Sequence, residues 1–174
     1  RPSAGVVHWA GKGQTVLGSL PGGPGETEAN ALLKVLESAG LEPVWSSDGL
    51  ATIWKKVLLN IAINPLAALT GVENGALLQS DLFSAAFSTL LEGAAVARIE
   101  RVNIPEDNEL EHLLRQVLTA TSSNICSMLQ DIRAGRTTEI AVLNQAITVR
   151  GERAGIATPL NQMLTSMVIA LHPQ

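Results

Sequence analysis

The segment that most restricts the fold of this chain runs from residue 48 to residue 69, because it is long, mostly apolar and helical in pattern. A helix that is apolar on nearly every side must be covered on several sides by other elements. Ser47 or Asp48 can cap its start. Pro65 lies inside the pattern and lacks a backbone donor, so we expect a kink or a break there. The chain should therefore build its core around this segment.

The hydrophobic pattern that follows stays helical almost to the end of the chain. Further helices are predicted over 81–102, over 107–132 with an interruption permitted, from Thr137 or Thr138 to about Arg153, and over 161–171. Stretches that contain glycine or proline separate these helices. Residues 48–174 are thus predicted to form an all-α bundle of five or six helices.

The first 47 residues have a different pattern. Two short β-type runs, at 4–9 and 15–18, read as a hairpin with its turn at 11–13. An amphipathic helix is predicted over 28–40, ended by Gly40, and a third strand over 41–45. So few short elements bury little core, and we expect them to be the edge of a larger sheet. Because residue 1 is Arg, we expect a processed chain or a piece of a longer protein.

Composition excludes several classes of protein. Of the 174 residues, 46% are hydrophobic, which excludes a disordered chain. The net charge of −4 disfavours a nucleic-acid-binding protein. The single Cys126 excludes a disulfide framework and a cysteine-based zinc site, and the three histidines have no metal-ligand spacing, so no metal is expected. These histidines are His8, His112 and His172. No uninterrupted apolar run reaches about 18 residues, so no membrane span is predicted.

Three polar residues interrupt the long apolar segment. Lys56, Asn60 and Asn64 are spaced i, i+4 and i+8, and each step of four residues turns a helix by only about 40° beyond a full turn, so all three lie on one face. Burying two amides and an ammonium without partners would cost several kcal/mol. The pattern leaves three readings open: an internal hydrogen-bond network, a solvent-exposed face, or the polar wall of a cleft.

A second polar group occupies one face of a predicted helix at Asn124, Ser127 and Asp131, and Glu139 follows it. In one reading Ser127 is an ordinary helix residue and Glu139 is a favourable charge in the first turn of the next helix. Cys126 beside them is expected to be a core residue and not a nucleophile. Taken alone, the pattern favours these structural readings over a ligand site.

Taken together, the two groups resemble a known family. The run from Lys56 to Pro65 resembles the Lys-x3-Asn-x3-Asn-Pro signature of the ketopantoate reductases (2-dehydropantoate 2-reductases). Residues 127–133 with 136–140 resemble the second signature of that family, and 155–161 its third. The resemblance extends over nearly the whole chain, with its motifs in the family's order.

The resemblance implies a fold and an activity. Residues 48–174 would form the helical substrate-binding and catalytic domain, which resembles the C-terminal domain of 6-phosphogluconate dehydrogenase. Residues 1–47 would be the last strands of an N-terminal, NADP-binding Rossmann domain whose main part this chain lacks. The expected reaction is the NADPH-dependent reduction of ketopantoate to (R)-pantoate, in pantothenate and coenzyme A biosynthesis in the cytoplasm. We expect this chain alone neither to bind NADPH tightly nor to turn over.

Residue roles follow from the resemblance position by position. Lys56 matches the general acid that protonates the ketone oxygen, and Glu139 an acid near the nicotinamide ribose and the lysine. The residues that match substrate-binding groups are Asn60, Asn64, Asn74, Asn124 and Ser127.

The chain departs from the family pattern at Ala141, where an acidic residue is common, and at Gln145, where glycine is common. Both are expected to lie away from the proposed cleft face, and they leave the choice of 2-oxo acid open. The alternatives are a D-2-hydroxyacid dehydrogenase for another branched 2-oxo acid, or a non-catalytic helical module for dimerisation or ligand sensing. The long apolar helices also make a homodimer plausible.

Overall fold

The computed structural model describes residues 5–6 and 14–171. The chain divides into two compact units, Arg1–Thr52 and Ile53–Gln174. Most of the first strand of the predicted hairpin, its turn at 11–13, and the side chains of His8 and His172 lie outside the described residues.

The first unit contains a parallel strand pair. Strand β1 (Thr15–Gly18) pairs with β2 (Pro43–Ser46), with Val16 opposite Val44, and helix α1 (Glu26–Ser38) connects them. Parallel strands require such a crossover connection. The strand predicted over 41–45 is therefore present, displaced by one to two residues, and its partner is β1.

Local sequence explains the limits of α1. The helix begins earlier than predicted because Gly25 serves as the N-cap and its N–H donates to the Glu28 carboxylate at 2.7 Å. It ends as predicted, since Gly40 has a φ of +77°, in the left-handed region that favours glycine after a helix. No residue of α1 is buried. The described part of this unit therefore has almost no core of its own.

Six α-helices follow, which confirms the predicted mainly-α class and the expected number of helices over the described part of 48–174. They are α2 (Gly49–Thr70), α3 (Ser80–Ile99), α4 (Asp107–Ala120), α5 (Ser127–Arg133), α6 (Asn144–Ala154) and α7 (Pro159–Ala170), with a short 3-10 helix at Asn74–Leu78. Asp48 caps α2, as its carboxylate accepts a hydrogen bond from the Ala51 N–H at 2.9 Å.

The largest differences from the sequence prediction concern Pro65 and the start of α6. Of the kink or break predicted at Pro65, the break is wrong, because helix α2 is continuous through this residue. The Ile61 carbonyl, which loses its helical donor at residue 65, accepts from the Asn144 side chain at 3.0 Å. The helix predicted from Thr137 or Thr138 begins only at Asn144. Leu143 has φ −104° and ψ −99°, outside the helical region, so the helix cannot extend back to Glu139.

The interruption allowed within 107–132 is present. Helix α4 ends at Ala120 and α5 begins at Ser127. The N–H of Asn124 donates to the Thr121 carbonyl at 2.8 Å, which makes a turn between the two helices. This turn places the second polar group at the start of a short helix instead of along a long one.

Helices α2 and α3 pack against each other in the core. A Cβ added to Gly93 would lie 2.5 Å from Ile61 Cδ1 and 2.9 Å from Leu58 Cδ2, so the two helices approach closely at this glycine. Among the described residues, α3 is long and apolar enough to cross a membrane by length and composition alone. Eight of its 20 residues are buried, as in the central helix of a bundle.

Candidate functional site

The polar face of α2 changes from exposed to buried along the helix. Lys56 is exposed, Asn60 is half-buried, and Asn64 retains only 7% of its accessible surface. The Asn60 and Asn64 side chains make no hydrogen bond to any residue in the described part of the chain. The internal-network reading of this face therefore has no support among those residues, and the two amides are available to a ligand.

Cys126 connects this face to the start of α5. Its Sγ lies 3.5 Å from the Asn64 carbonyl oxygen, to which the thiol donates, and 3.4 Å from the Leu129 N–H, from which it accepts as the N-cap of α5. Ser127, the exposed first residue of α5, therefore begins its helix next to Asn64. The expectation of a buried, non-nucleophilic cysteine agrees with this environment, since burial raises the pKa of the Cys126 thiol.

Asn74 and Asn124 are held together through their backbones. The Asn74 N–H donates to the Asn124 carbonyl at 3.0 Å, and the Asn74 side-chain amide donates to Thr121 Oγ1 at 3.0 Å. Asn74 is buried, and its Oδ1 is buried without a partner among the described residues. Asn124 is exposed. Part of the Asn74 amide thus anchors the turn, while its oxygen remains unpaired.

Gly75 makes this pairing possible and was not predicted. Its N–H donates to the Ser122 carbonyl at 2.9 Å, and an added Cβ would lie 2.8 to 3.0 Å from three atoms of Ser122. Only glycine allows the two backbones to approach this closely. The sequence signal was the Asn-Gly pair at 74–75, which also fits an ordinary turn.

Asp131 and Arg136 hold the connection that leads to Glu139. Both Nε and one terminal nitrogen of Arg136 donate to Asp131 Oδ1, at 2.9 and 2.7 Å, and the Arg136 N–H donates to the Asp131 carbonyl. Arg133 donates to the Gly71 carbonyl at 3.3 Å, just past the end of α2. These arginines therefore fix the backbone of the connection. Asp131 is a structural partner of this loop.

Glu139 is exposed and lies in the turn before α6, not in the first turn of that helix. Its carbonyl accepts from the N–H groups of Val142 and Leu143, both at 3.1 Å. Within the described ranges neither Glu139 nor Lys56 has an ion-pair partner. Both charged groups are open to solvent and to a ligand.

Ala141 and Gln145, which depart from the family pattern, line a pocket that contains none of the predicted site residues. A surface pocket of about 430 Å³ on the exposed side of α6 is lined by Ala141, Gln145, Val149, Arg150, Arg153 and Glu100, among others. None of the predicted site residues lines it.

The polar side chains on this face of α2 and at the start of α5 all carry hydrogen-bond donors. An exposed ammonium at Lys56 is followed on the same helix face by the amides of Asn60 and Asn64, with the hydroxyl-bearing Ser127 starting the neighbouring helix. Donors of this kind suit a small, negatively charged oxo compound. Among the residues described, no group of three or more His, Cys, Asp or Glu could hold a metal ion.

Comparison with known proteins gives the family. Residues 48–172 match the family model described as the C-terminal part of the ketopantoate reductases PanE/ApbA. A 2-dehydropantoate 2-reductase of Pyrococcus horikoshii is 35% identical over 167 residues, which are 95% of this chain and 54% of that protein. The chain thus spans about half the length of the curated relatives it matches.

Solved structures show the same fold. A PanE/ApbA family ketopantoate reductase from Ralstonia eutropha JMP134 superposes with a TM-score of 0.81 at 29% identity, over 93% of this chain and 52% of that one. A D-mandelate dehydrogenase, in a ternary structure with NADH and anilino(oxo)acetate, gives 0.80 at 29% identity, over 92% of this chain and 67% of that one. The chain therefore belongs to the ketopantoate reductase family and corresponds to the C-terminal half of its members.

Proposed function

We propose that the protein containing this chain is an NADPH-dependent reductase that converts 2-dehydropantoate to (R)-pantoate. This chain supplies the substrate-binding and catalytic half. The observation that carries the proposal is the polar face of α2, where an exposed Lys56 is aligned with two amides, Asn60 and Asn64, that have no hydrogen-bond partner among the described residues. Amide groups that no other residue engages can hydrogen-bond the oxygens of a bound substrate.

In this proposal Lys56 acts as the general acid. NADPH, when bound, supplies a hydride to the ketone carbon. The Lys56 ammonium stabilises the negative charge that develops on the ketone oxygen and donates a proton to it, which yields the hydroxyl group of the product. Lys56 then recovers its proton from solvent, to which it is exposed.

The remaining residues orient the substrate. Asn60 and Asn64 donate hydrogen bonds from the wall of the site, and Ser127 holds the carboxylate through its hydroxyl. Asn74 and Asn124, whose turn is fixed by the backbone hydrogen bond between them, provide further substrate-binding amides. Glu139, whose carboxylate has no ion-pair partner within the described ranges, would accept a hydrogen bond from a hydroxyl of the nicotinamide ribose and act together with Lys56.

The cofactor's main binding domain belongs to the half of the protein that this chain does not span. The parallel β1–α1–β2 arrangement supports the assignment of residues 1–47 to the end of a Rossmann domain, whose strands are parallel. In the whole enzyme, which we propose acts in the cytoplasm, the Rossmann domain would present NADPH to the helical domain formed by residues 48–174. The 174-residue chain alone is proposed to be inactive.

A second candidate is a D-2-hydroxyacid dehydrogenase for another branched 2-oxo acid. The structural likeness to D-mandelate dehydrogenase favours it. The donors on α2 would serve either substrate class. A panel of 2-oxo acids assayed with NADPH and with NADH on the full-length protein separates the two candidates by their kcat/KM values.

The decisive test is Lys56→Ala in the full-length protein. We expect a fall in kcat of about 100- to 10,000-fold, as for loss of a general acid. Lys55→Ala is the matched control, because Lys55 is also exposed but lies about 100° away around the helix. It should leave kcat within about twofold, since surface charges away from a site act weakly. Equal turnover of the Lys56→Ala variant and the parent would refute the role of Lys56 as general acid. A folded parent without any turnover would instead favour the alternative of a non-catalytic helical module for dimerisation or ligand sensing.

A further inference from the structure

A buried polar network joins four helices behind the polar face of α2. Asn144 of α6 and Asn161 of α7 both have 0% of their surface exposed. The Asn144 amide nitrogen donates to the Ile61 carbonyl of α2 and to Asn161 Oδ1, each at 3.0 Å. The Asn161 amide nitrogen donates to the Thr89 carbonyl at 3.1 Å and to Glu92 Oε2 at 2.8 Å, both on α3. None of the roles assigned above uses these residues.

The contact to Ile61 has a specific cause in the sequence. In an α-helix the carbonyl of residue 61 accepts from the N–H of residue 65, which here is Pro65 and has none. The proline ring also crowds the carbonyl four residues before it. Ile61 is fully buried, so water is a poor substitute donor. Asn144 therefore replaces the hydrogen bond that Pro65 removes.

The orientation of the Asn144 amide follows from its neighbours. A backbone carbonyl can only accept, so the nitrogen must face Ile61, and both of its hydrogens are then used. The Asn144 oxygen has no partner within the described part of the chain. The Asn144 side chain thus leaves its own oxygen unpaired while its nitrogen donates to the Ile61 carbonyl. A buried unpaired oxygen is unfavourable, which indicates that the hydrogen bond to Ile61 is what requires an asparagine here.

The network also reaches the start of α7. The Glu92 carboxylate accepts from the Leu160 N–H at 2.9 Å and from the Asn161 N–H at 3.0 Å, in addition to the Asn161 side chain. A carboxylate at a helix N-terminus is favourable for the helix dipole. Glu92 therefore holds both the backbone and the side chain of Asn161. Asn161 in turn orients the Asn144 amide by accepting a hydrogen bond from it.

We propose that Asn144 is a positioning residue for the reductase site: by donating to Ile61 it holds the segment of α2 that carries Asn60 and Asn64 in helical register across Pro65. This inference rests on the proposed function, because Asn60 and Asn64 act there on the substrate. Ile61 directly follows Asn60 and lies one turn before Pro65, so a displaced carbonyl at this residue would move both amides. Asn144 itself does not touch the substrate.

The test is a double-mutant cycle in the full-length protein between Asn144→Leu and Pro65→Ala. Alanine at residue 65 restores the N–H that Ile61 lacks. We expect Asn144→Leu to lower kcat/KM for 2-dehydropantoate by about 10- to 100-fold, mainly through KM, because misplacing binding groups by about 1 Å has effects of this size. The same substitution in the Pro65→Ala background should lower it less than about threefold.

Ile147→Ala is the matched control. Ile147 is buried on the same helix and takes no part in the network. It should lower the unfolding midpoint but leave kcat/KM of the folded enzyme within about twofold, in either background. If Asn144→Leu does not fold, Asn144→Ser, whose shorter side chain cannot reach Ile61, replaces it in the cycle.

A second readout does not depend on activity. Hydrogen exchange of a peptide covering residues 58–70 should be faster in Asn144→Leu by about tenfold and return towards the parent rate with Pro65→Ala, while a peptide from α4 stays unchanged. A parent enzyme without turnover would refute the proposed function, and the exchange data would still support or overturn the role of Asn144 in holding α2. An equal effect of Asn144→Leu in both backgrounds, or an unchanged KM, would overturn the inference.

Discussion

At the scale of single residues, Cys126 shows how one side chain can serve two elements. Its thiol accepts from the Leu129 N–H at the start of α5 and donates to the Asn64 carbonyl of α2. Burial raises its pKa, mainly because the thiolate would lose its hydration. The residue therefore packs as a small apolar group with a weak donor, next to the proposed site.

The raised pKa of Cys126 has two measurable consequences. The thiolate is the reactive form, so alkylation by iodoacetamide should be slower in the folded protein than in urea, with its pH midpoint displaced upwards. The folded state also holds the thiol proton more tightly than the unfolded state. The contribution of the Cys126 thiol to stability is fully present below its pKa in the unfolded state. This contribution declines as the pH rises through its higher pKa in the folded state.

Urea unfolding of the parent and of Cys126→Ala between pH 7 and pH 10 measures this effect. The free energy of unfolding of the parent should fall more steeply with pH than that of the variant. Equal slopes, or equal alkylation rates in folded and unfolded protein, would contradict the assigned environment.

Helical spacing was sufficient to predict that Lys56, Asn60 and Asn64 share one face. It could not predict that exposure decreases from Lys56 to Asn64, because that depends on which helices cover each end of α2. The N-cap role of Cys126 was equally hidden, since cysteine is not among the residues that favour this position. The roles of the predicted site residues in catalysis and binding stay predictions until the variants are assayed.

At the scale of secondary-structure elements, the start of α7 depends on a residue from another helix. The N-cap Thr158 makes no side-chain capping bond, and Pro159 provides a favourable first residue. The missing acceptor comes from Glu92 of α3, which binds the N–H groups of Leu160 and Asn161. The residue that caps α7 therefore belongs to α3 and precedes Leu160 and Asn161 by 68 and 69 positions in the chain.

We expect Glu92→Ala to lower the free energy of unfolding by about 2 kcal/mol, because three N–H donors lose their acceptor. Glu111→Ala is the control: within the described ranges Glu111 pairs with the exposed Arg115 one turn along α4, and its loss should cost at most about 1 kcal/mol. Chemical denaturation measures both. Equal losses for the two variants would show that Glu92 does not cap α7.

The types of these elements were predictable, and several of their ends were not. Apolar periodicity located the helices of the second unit, because their buried faces repeat with the helical period. It placed the start of α6 too early, since the threonines at 137–138 and Glu139 look like a helix start, and the backbone of Leu143 decides otherwise. The sequence also predicted a kink or a break at Pro65, whereas α2 is continuous there and a side chain from α6 donates to the Ile61 carbonyl.

At the scale of the whole molecule, the core is distributed unevenly along the chain. Among the described residues, every buried hydrophobic side chain belongs to Ala51 or to a later residue. In the first unit, Val16 and Val44 face each other in register and remain 43% and 42% exposed. A parallel strand pair normally has both of its faces covered. The stability of the chain should therefore come from the second unit.

A chain shortened to residues 48–174 should accordingly stay folded. We expect its thermal unfolding midpoint to lie within about 5 °C of that of the 174-residue chain, because it keeps all of the described buried hydrophobic side chains. A chain ending at residue 143, which lacks α6 and α7, is the control and should lose cooperative unfolding along with Asn144 and Asn161. Circular dichroism measures both, and an unfolded 48–174 chain would contradict this expectation.

The amino-acid sequence alone determined the fold class, the helical spacing of the polar groups and the resemblance to the ketopantoate reductases, because these depend on local periodicity and short motifs. The tertiary structure alone decided which polar groups are satisfied. Asn60 and Asn64 remain without partners among the described residues, whereas Asn144, far away in the chain, supplies the donor that Pro65 removes from Ile61. The physical reason is that a hydrogen bond between distant residues is set by helix packing, which no local pattern records.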